Sequence, residues 1–450
     1  MRKKTIYLIL CFLCIYNFQL SAQKSNNAAD LITASDLETY DRFLSSPLLK
    51  GRENGEPGLE LAQQYIVSQA KLLGLKPGNG NSFYQPYSII QTSMDPEKTK
   101  IVVSGNGKAK EDITINKPIF QLLPTGPSDF EVEGEVIFAG YGLSNEKYNY
   151  SDFENLKADG KILLIMAGAP TSVDGKQFLF EGTDWNSFNS IQVKLSKLLF
   201  TKAKAILIVM SPKSGYDNID EQFPGISTQL NSTIELKGAK SQSNALQGLP
   251  KILFVHRSVA DALLEGSGKT LEKLQSGIDA SLKPNTFKIP DKKLKITEAS
   301  ISEEKTLNNV AAIIEGSDPV LKNEFIIFSA HADHIGTSMK GEINSGADDD
   351  ASGCSALLSI AEAFQGLDKK PLRSIVFLWV SGEEVGLYGS KSYVDNPLFP
   401  LNNTIADLNM DMIGRVKGVA DSTLETPMSD RNHVFVITCN QSKELVDIAN

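Results

Sequence analysis

Three apolar, strand-like runs end in side chains that can hold a cation. Phe325-Ile326-Ile327-Phe328-Ser329 leads into Ala330-His331-Ala332-Asp333-His334, Ser374 to Val380 leads into Ser381-Gly382-Glu383-Glu384, and Ile405 to Asn409 leads into Met410-Asp411. Between the first two stands Asp348-Asp349-Asp350, an acidic loop opening a helical pattern from Ala351 to Phe364. Singly, each piece has an ordinary reading: acidic residues favouring a helix N-terminus, a loop aspartate capping a helix, a satisfied core histidine, a surface turn after a strand. Gathered at one sheet edge they need more, because burying carboxylates without a counter-charge is costly. A cation is required. Imidazole mixed with carboxylate suits zinc, or manganese or cobalt, better than calcium or magnesium, which take oxygen ligands. The acidic loop also lacks the alternating acids and distal Glu of an EF-hand, so zinc is the expected metal.

These residues can meet only if the elements carrying them form one sheet. Strands alternating with helices predict an α/β fold, a mostly parallel (mixed) central sheet with helices on both faces, and ligands then lie outside the carboxyl ends of the strands. Ser35 with Glu38 three residues on predicts a capping box and a short helix over Ser35 to Phe43. Leu59, Ala62, Ile66, Ala70 and Leu73 recur at three- and four-residue steps before Gly74, predicting an amphipathic helix over 58–73 that packs on the core. From about residue 115 the texture changes to short β-type runs, Glu135 to Gly140, Lys161 to Met166, Ala205 to Met210 and Ile252 to His256, with a Lys/Pro-rich exit from Lys283 to Lys295. The expected division is 1–22 signal peptide, 23–115 first part of the main domain, 116–284 a β-rich insert, and 285–450 the site-bearing domain.

The set SAHADHIG at 329–336, GADDDASG at 346–353, SGEEVGLYGS at 381–390 and NMDMIGR at 409–415 resembles the di-zinc exopeptidases, a family of aminopeptidases, glutamate carboxypeptidase and the inactive transferrin receptor. Leu49-Lys50-Gly51-Arg52 with Gly55 and Gly58 resembles the N-terminal part of that peptidase domain, while GEVIFAGYG at 134–142 and GKILLIM at 160–166 resemble its protease-associated insert. The resemblance implies that His331, Asp349 and Asp411 bind one zinc, that Asp349 bridges to a second held also by Glu384, and that Glu383 is the general base. It implies that Asp333 orients the His331 imidazole, that the peptide after Asp349 is cis, and that the substrates are peptides. It further asks for a histidine beyond NMDMIGR. Of the four histidines, His256 follows a strand of the insert and is read as packing there; His334 is read as supporting the first motif. His433 is the candidate by order, but its surroundings, Asn432 to Val436, read as the start of a strand. The chain ends at Leu445 to Asn450 in a helical pattern with no closing strand, and so reads as C-terminally truncated.

Composition sets the frame. The chain has 450 residues, 41% hydrophobic and 22% charged, with 34 Gly and 19 Pro, which excludes disordered, collagen-like and disulfide-scaffold classes and predicts more than one compact unit. Acidic residues outnumber basic ones by 54 to 45 with no long basic run, which argues against nucleic acid as a partner. Met1-Arg2-Lys3-Lys4, an apolar run to about Phe18 and Ser21-Ala22 form a secretory signal pattern, so export to the periplasm or beyond the cell is expected, with no stable membrane span after its removal. Loss of Arg2, Lys3 and Lys4 takes the net charge from -9 to -12. Cys354 and Cys439 remain, either paired or as buried thiols. The leading expectation is an exported aminopeptidase. A carboxypeptidase, a glutaminyl cyclase or a non-catalytic receptor are the alternatives on the same scaffold.

Overall fold

The computed structural model describes residues 27–416 and 436–437, apart from 106–112, 116, 118, 123–127, 155, 224–225, 227–229, 231, 239–247 and 338–340. The described residues fall into two compact units, the first drawn from Met1–Pro86, Asn308–Ile335 and Ser345–Asn450, the second from Tyr87–Leu307 and Gly336–Asn344.

The first unit opens with helix α1 (Ala34–Leu44). Its cap is Thr33, not the expected Ser35: the Asp36 amide donates to Thr33 Oγ1 (3.2 Å), which in turn donates to the Asp36 carboxylate (2.6 Å). Glu38 is drawn away from capping by Arg42, whose Nε and Nη2 both donate to it. Helix α2 (Pro57–Leu72) comes next, burying Leu59, Ala62, Ile66 and Ala70 as their spacing predicts, and Gly74 turns the chain with φ +76°.

Four strands then build the part of the sheet that carries the chemistry: β1 (Ser300–Ile314), β2 (Phe325–His331), β3 (Ser374–Val380) and β4 (Thr404–Asn409), with helix α3 (Gly353–Gln365) between β2 and β3 and helix α4 (Tyr388–Asp395) between β3 and β4. Their order is β1-β3-β2-β4. β2 pairs in parallel with both β3 and β4, while β1 pairs antiparallel with β3, so the sheet is mixed as expected. The parallel register sets His331 beside Val380 and Ser329 beside Asn409, which brings the carboxyl ends of β2, β3 and β4 to one edge.

β3 is buried along its whole length, and its alternation splits the core. Phe377 and Trp379 face Leu59, Ile66, Leu357 and Ala361 from α2 and α3. Val376, Leu378 and Val380 face Tyr393 of α4 and the neighbouring Leu398 and Phe399. Each such buried large side chain contributes roughly 1.5–3 kcal/mol, so the helices on both faces hold β2 and β3 rigidly under the site.

In the second unit, eight strands form another mixed sheet. Phe130–Ala139, Ile162–Met166, Ala205–Val209 and Lys251–Val255 run parallel, and Ile191–Leu198, Ser258–Leu264 and Leu271–Ser281 are helices whose apolar faces join the core around them. The expected boundaries at 115 and 284 fall inside this sheet. Lys100–Gly105 pairs antiparallel with Lys292–Thr297, and Thr286–Glu298 pairs with Phe130–Ala139, so strands from both sides of the expected insert close the same unit. Among the described residues no helix is long and apolar enough to cross a membrane; the expected signal, 1–22, lies outside the described residues.

Glu298 is an exception inside the second unit, a buried carboxylate with one oxygen accepting from the Ser128 amide (3.1 Å) and the other without a hydrogen-bond partner among the described residues. Burial pushes it up to about 7, against the bond from Ser128 and the nearby Lys251 charge. Because the folded chain then holds this proton more tightly than the unfolded chain, the group's contribution to stability is present below about pH 4.5 and is lost as pH rises to about 7. Glu298→Gln is therefore expected to stabilise the protein at pH 8 by roughly 2–3 kcal/mol, with the gain shrinking as pH falls toward 4.5. Urea melts across that range check it, and parallel profiles for the two proteins contradict it.

Candidate metal centre

The carboxyl edge of the first unit's sheet brings together the side chains singled out by the sequence. His331 is the last residue of β2 and only 3% exposed. Its Nε2 lies 3.0 Å from Asp349 Oδ1, 3.7 Å from Asp411 Oδ1 and 3.9 Å from Glu383 Oε2. On the other side of Asp349, Oδ2 stands 3.9 Å from His334 Nδ1, which is itself 2.7 Å from Glu384 Oε1. The donor atoms of His331, Asp349 and Asp411 lie within 4.8 Å of one another, as do those of His334, Asp349 and Glu384. Asp349 is thus common to two adjoining groups, each able to hold a metal ion.

This crowding sets the electrostatics of the site. Burial works against protonation of His331, yet the hydrogen bonds and charges of Asp333, Asp349 and Asp411 outweigh it and hold the imidazole well above the usual histidine range. The bond from His331 holds the Asp349 carboxyl low. Burial raises Glu383, with Glu384, Asp333 and Asp411 adding to the effect and His331 opposing it.

The groups are fixed by a frame that no local sequence pattern announces. Asp350 is fully buried, with Oδ2 accepting from the His331 amide (3.1 Å) and Oδ1 from the amides of Gly353 (2.9 Å) and Met412 (3.3 Å). One carboxylate therefore ties the ends of β2 and β4 to the start of α3, and burial drives its pKa well up against those bonds. The Asp349–Asp350 peptide is cis, as the resemblance implied. A side chain at Gly353 would overlap the Met410 carbonyl, so the close approach of α3 to the end of β4 needs glycine there.

Asp333 plays a wider part than orienting one ring. It is the backbone carbonyl of Asp333 that stands 3.1 Å from His331 Nδ1, with the carboxylate at 3.8 Å. That carboxylate accepts instead from Asn54 Nδ2 (2.6 Å) and from the amides of Glu383 and Glu384 (both 3.2 Å), while Asn54 Oδ1 accepts from the Gly382 amide (2.9 Å). It thereby places both glutamates at the end of β3.

Arg52, quoted in the sequence only as part of a motif, is 1% exposed and spans five carbonyls: Ala332 (2.9 Å), Leu44 (2.5 Å), Ser345 (2.8 Å), Gly346 (2.9 Å) and Asp349 (3.4 Å). Its signal was a lone arginine beside two glycines, with nothing local to reveal partners nearly 300 residues away. The buried Cys354 is a free thiol that donates to the His331 carbonyl (3.2 Å); Cys439 lies outside the described residues. His256 is taken up in the second unit, where its Nδ1 accepts from the Ser258 amide (3.2 Å) at the start of a helix. His433 and the expected final helix lie outside the described residues.

A mixed α/β sheet carries, at its carboxyl edge, two histidine–carboxylate groups that share one aspartate and could each hold a metal ion. Residues 309–442 match the model of Peptidase family M28. Leucine aminopeptidase 1 from Trichophyton rubrum is 33% identical over 136 residues, 28% of this chain and 34% of that protein. A vacuolar membrane protease from Verticillium alfalfae is 32% identical over 83 residues, 18% of this chain and 8% of that protein. The chain thus spans about a third of the aminopeptidase's length. Among solved structures, a zinc aminopeptidase from Bacillus subtilis is 18% identical, covering 87% of this chain and 70% of that one with a TM-score of 0.42.

Replacing Arg52 by Lys leaves the charge but not the fork. One ammonium cannot serve all of these carbonyls, and each buried carbonyl left unpaired costs about 1–3 kcal/mol. Arg52→Lys is expected to lower unfolding stability by roughly 2–4 kcal/mol and to weaken metal binding measured by calorimetry. An unchanged urea midpoint would contradict the role given to Arg52.

Proposed function

We propose that the chain is an exported, zinc-dependent exopeptidase, and in particular an aminopeptidase that removes N-terminal residues from peptides. The observation that carries the proposal is Asp349, whose two carboxylate oxygens face separate histidine–carboxylate groups, His331 with Asp411 and His334 with Glu384, with Glu383 beside the first. The donor set fits zinc: imidazole and carboxylate in each group, with the Asp349 carboxylate common to both. His331, Asp349 and Asp411 would hold one ion, and Asp349 with Glu384 the other. When bound, zinc supplies Lewis acidity toward the scissile carbonyl and brings water's acidity near neutrality.

The chain's own residues account for the remaining steps. Glu383 accepts the proton of the attacking water and returns it to the departing amine, forming the new amino terminus as the C–N bond breaks. Its half-buried position raises its pKa toward the range where a carboxylate is an effective base. Asp333, by accepting from the Glu383 amide, sets where that base stands. The N-terminal basic, apolar and small-residue pattern supports export. The likeness of residues 134–142 and 160–166 to a protease-associated insert supports reading the second unit as that insert.

Glu383→Gln is expected to keep its full metal content while losing about 10²–10⁴-fold in kcat on aminoacyl nitroanilides. Asp349→Asn is expected to lose metal together with activity. Chelation should abolish turnover and zinc should restore it. Wild-type kcat in Glu383→Gln overturns the base assignment, and turnover only of N-blocked substrates moves the reading to a carboxypeptidase.

A further inference from the structure

The second unit holds a cavity of about 430 Å³ that the metal centre leaves unused. It lies outside the carboxyl ends of two adjacent parallel strands. Ala167 and Gly168 follow Ile162–Met166, Met210 and Ser211 follow Ala205–Val209, and all four line the space. Open α/β sheets take their ligands at such ends, and the volume falls in the range of about 300–1,000 Å³ that small molecules occupy.

The lining has an apolar part and a basic part. Trp185 and Phe178 (ring centroids 6.4 Å apart) contribute one aromatic pair, Phe188 and Phe223 (5.7 Å) another. Trp185 Nε1 donates to the Phe180 carbonyl (2.8 Å), which leaves the indole as an apolar surface. Lys176, Lys194 and Lys213 also line the cavity, and among the described lining residues there is no carboxylate. In a chain whose acids outnumber its bases by 54 to 45, that selection is unusual.

The three lysines differ in their partners. Lys176 is exposed, and Lys213 is already balanced by Asp279 Oδ2 at 2.7 Å. Lys194 is 1% exposed, and its Nζ donates to the carbonyls of Tyr141 (2.6 Å) and Met166 (2.8 Å). Both partners are neutral, and they take two of the three protons of an ammonium. Burial accordingly pulls Lys194 down to about 7, with the charge of Asp152 opposing it. An anion beside Lys194 would take the third proton and restore the balance of charge.

From this we propose that the cavity binds a small organic acid, its apolar or aromatic body against Trp185, Phe178 and Phe188 and its carboxylate paired with Lys194. The site is separate from the metal centre, and the inference does not rest on the metallopeptidase reading.

The test is binding to the full chain of three probes that share one body and differ in charge: 3-phenylpropionate, 3-phenylpropionamide and 3-phenylpropylamine. Calorimetry gives the affinities, and tryptophan emission gives the place, since the chain has two tryptophans and only Trp185 lines the cavity. The acid is expected to bind at least about 10-fold more tightly than the amide, as a charge-assisted bond requires, and the amine not at all. The acid should change the emission of wild type and not that of Trp185→Phe. Lys194→Met and Lys194→Gln, shown folded by circular dichroism, are expected to bind acid and amide alike. Amide binding as tight as acid binding overturns the proposal, as does absence of binding by all three probes up to about 10 mM. An emission change that survives in Trp185→Phe places the acid elsewhere and overturns it too. So does a full acid preference in either folded Lys194 variant. Should neither variant fold, the charge series read through Trp185 decides the matter, and failure on any count leaves the metallopeptidase reading intact.

Discussion

Asp333, Asp349, Glu383, Glu384 and Asp411 converge on two imidazoles at the carboxyl ends of three adjacent strands, and their mutual repulsion is the constraint that the rest of the first unit answers. In a half-buried setting like charges repel far more strongly than in water. The opposing pKa directions express this: His331 is held high by its carboxylates, Asp349 is held low by His331, and Glu383 is lifted by burial and by its acidic neighbours. A divalent ion in each group would relieve the repulsion at its source.

The fold contributes position. The parallel pairing of β2 with β3 and β4 brings three strand ends level, and two fully buried carboxylates then fix the segments leaving those ends. Asp350 gathers amides from the end of β2, the start of α3 and the turn after β4, while Asp333 gathers the two glutamate amides and the Asn54 side chain. Neither of these carboxylates needs to touch a metal ion to govern where the donor groups stand. Arg52 completes the frame by satisfying carbonyls from Leu44, Ala332, Ser345 and Gly346, segments far apart in sequence.

The sequence disclosed the site more fully than its frame. His331, Asp349, Glu383, Glu384 and Asp411 could be read because each comes just after an apolar run or opens a helix, so their residue types and local context suffice to bring them to one edge. β3 was legible for the same reason, as a continuous apolar segment buried along its whole length. Arg52, Asn54 and Asp350 were not, because their roles consist of bonds to backbone groups of distant segments, and no local pattern encodes those. The edges of the second unit were misplaced for a related reason. Lys100–Gly105 and Thr286–Glu298 differ in texture from the runs between them, yet pairing across nearly two hundred residues makes them neighbours in one sheet. At α1 the competition was local: Glu38 could cap or pair with Arg42, and it pairs.

The most direct test of the central claim is the thermal stability of the metal-free chain against the chain with excess zinc. If cations are what let these carboxylates share one edge, saturating zinc at about 1,000 times Kd should add about 4 kcal/mol, seen as a rise in Tm of several degrees that disappears in a variant lacking both His331 and Asp411. An unchanged Tm on adding zinc to the chelated protein would contradict it.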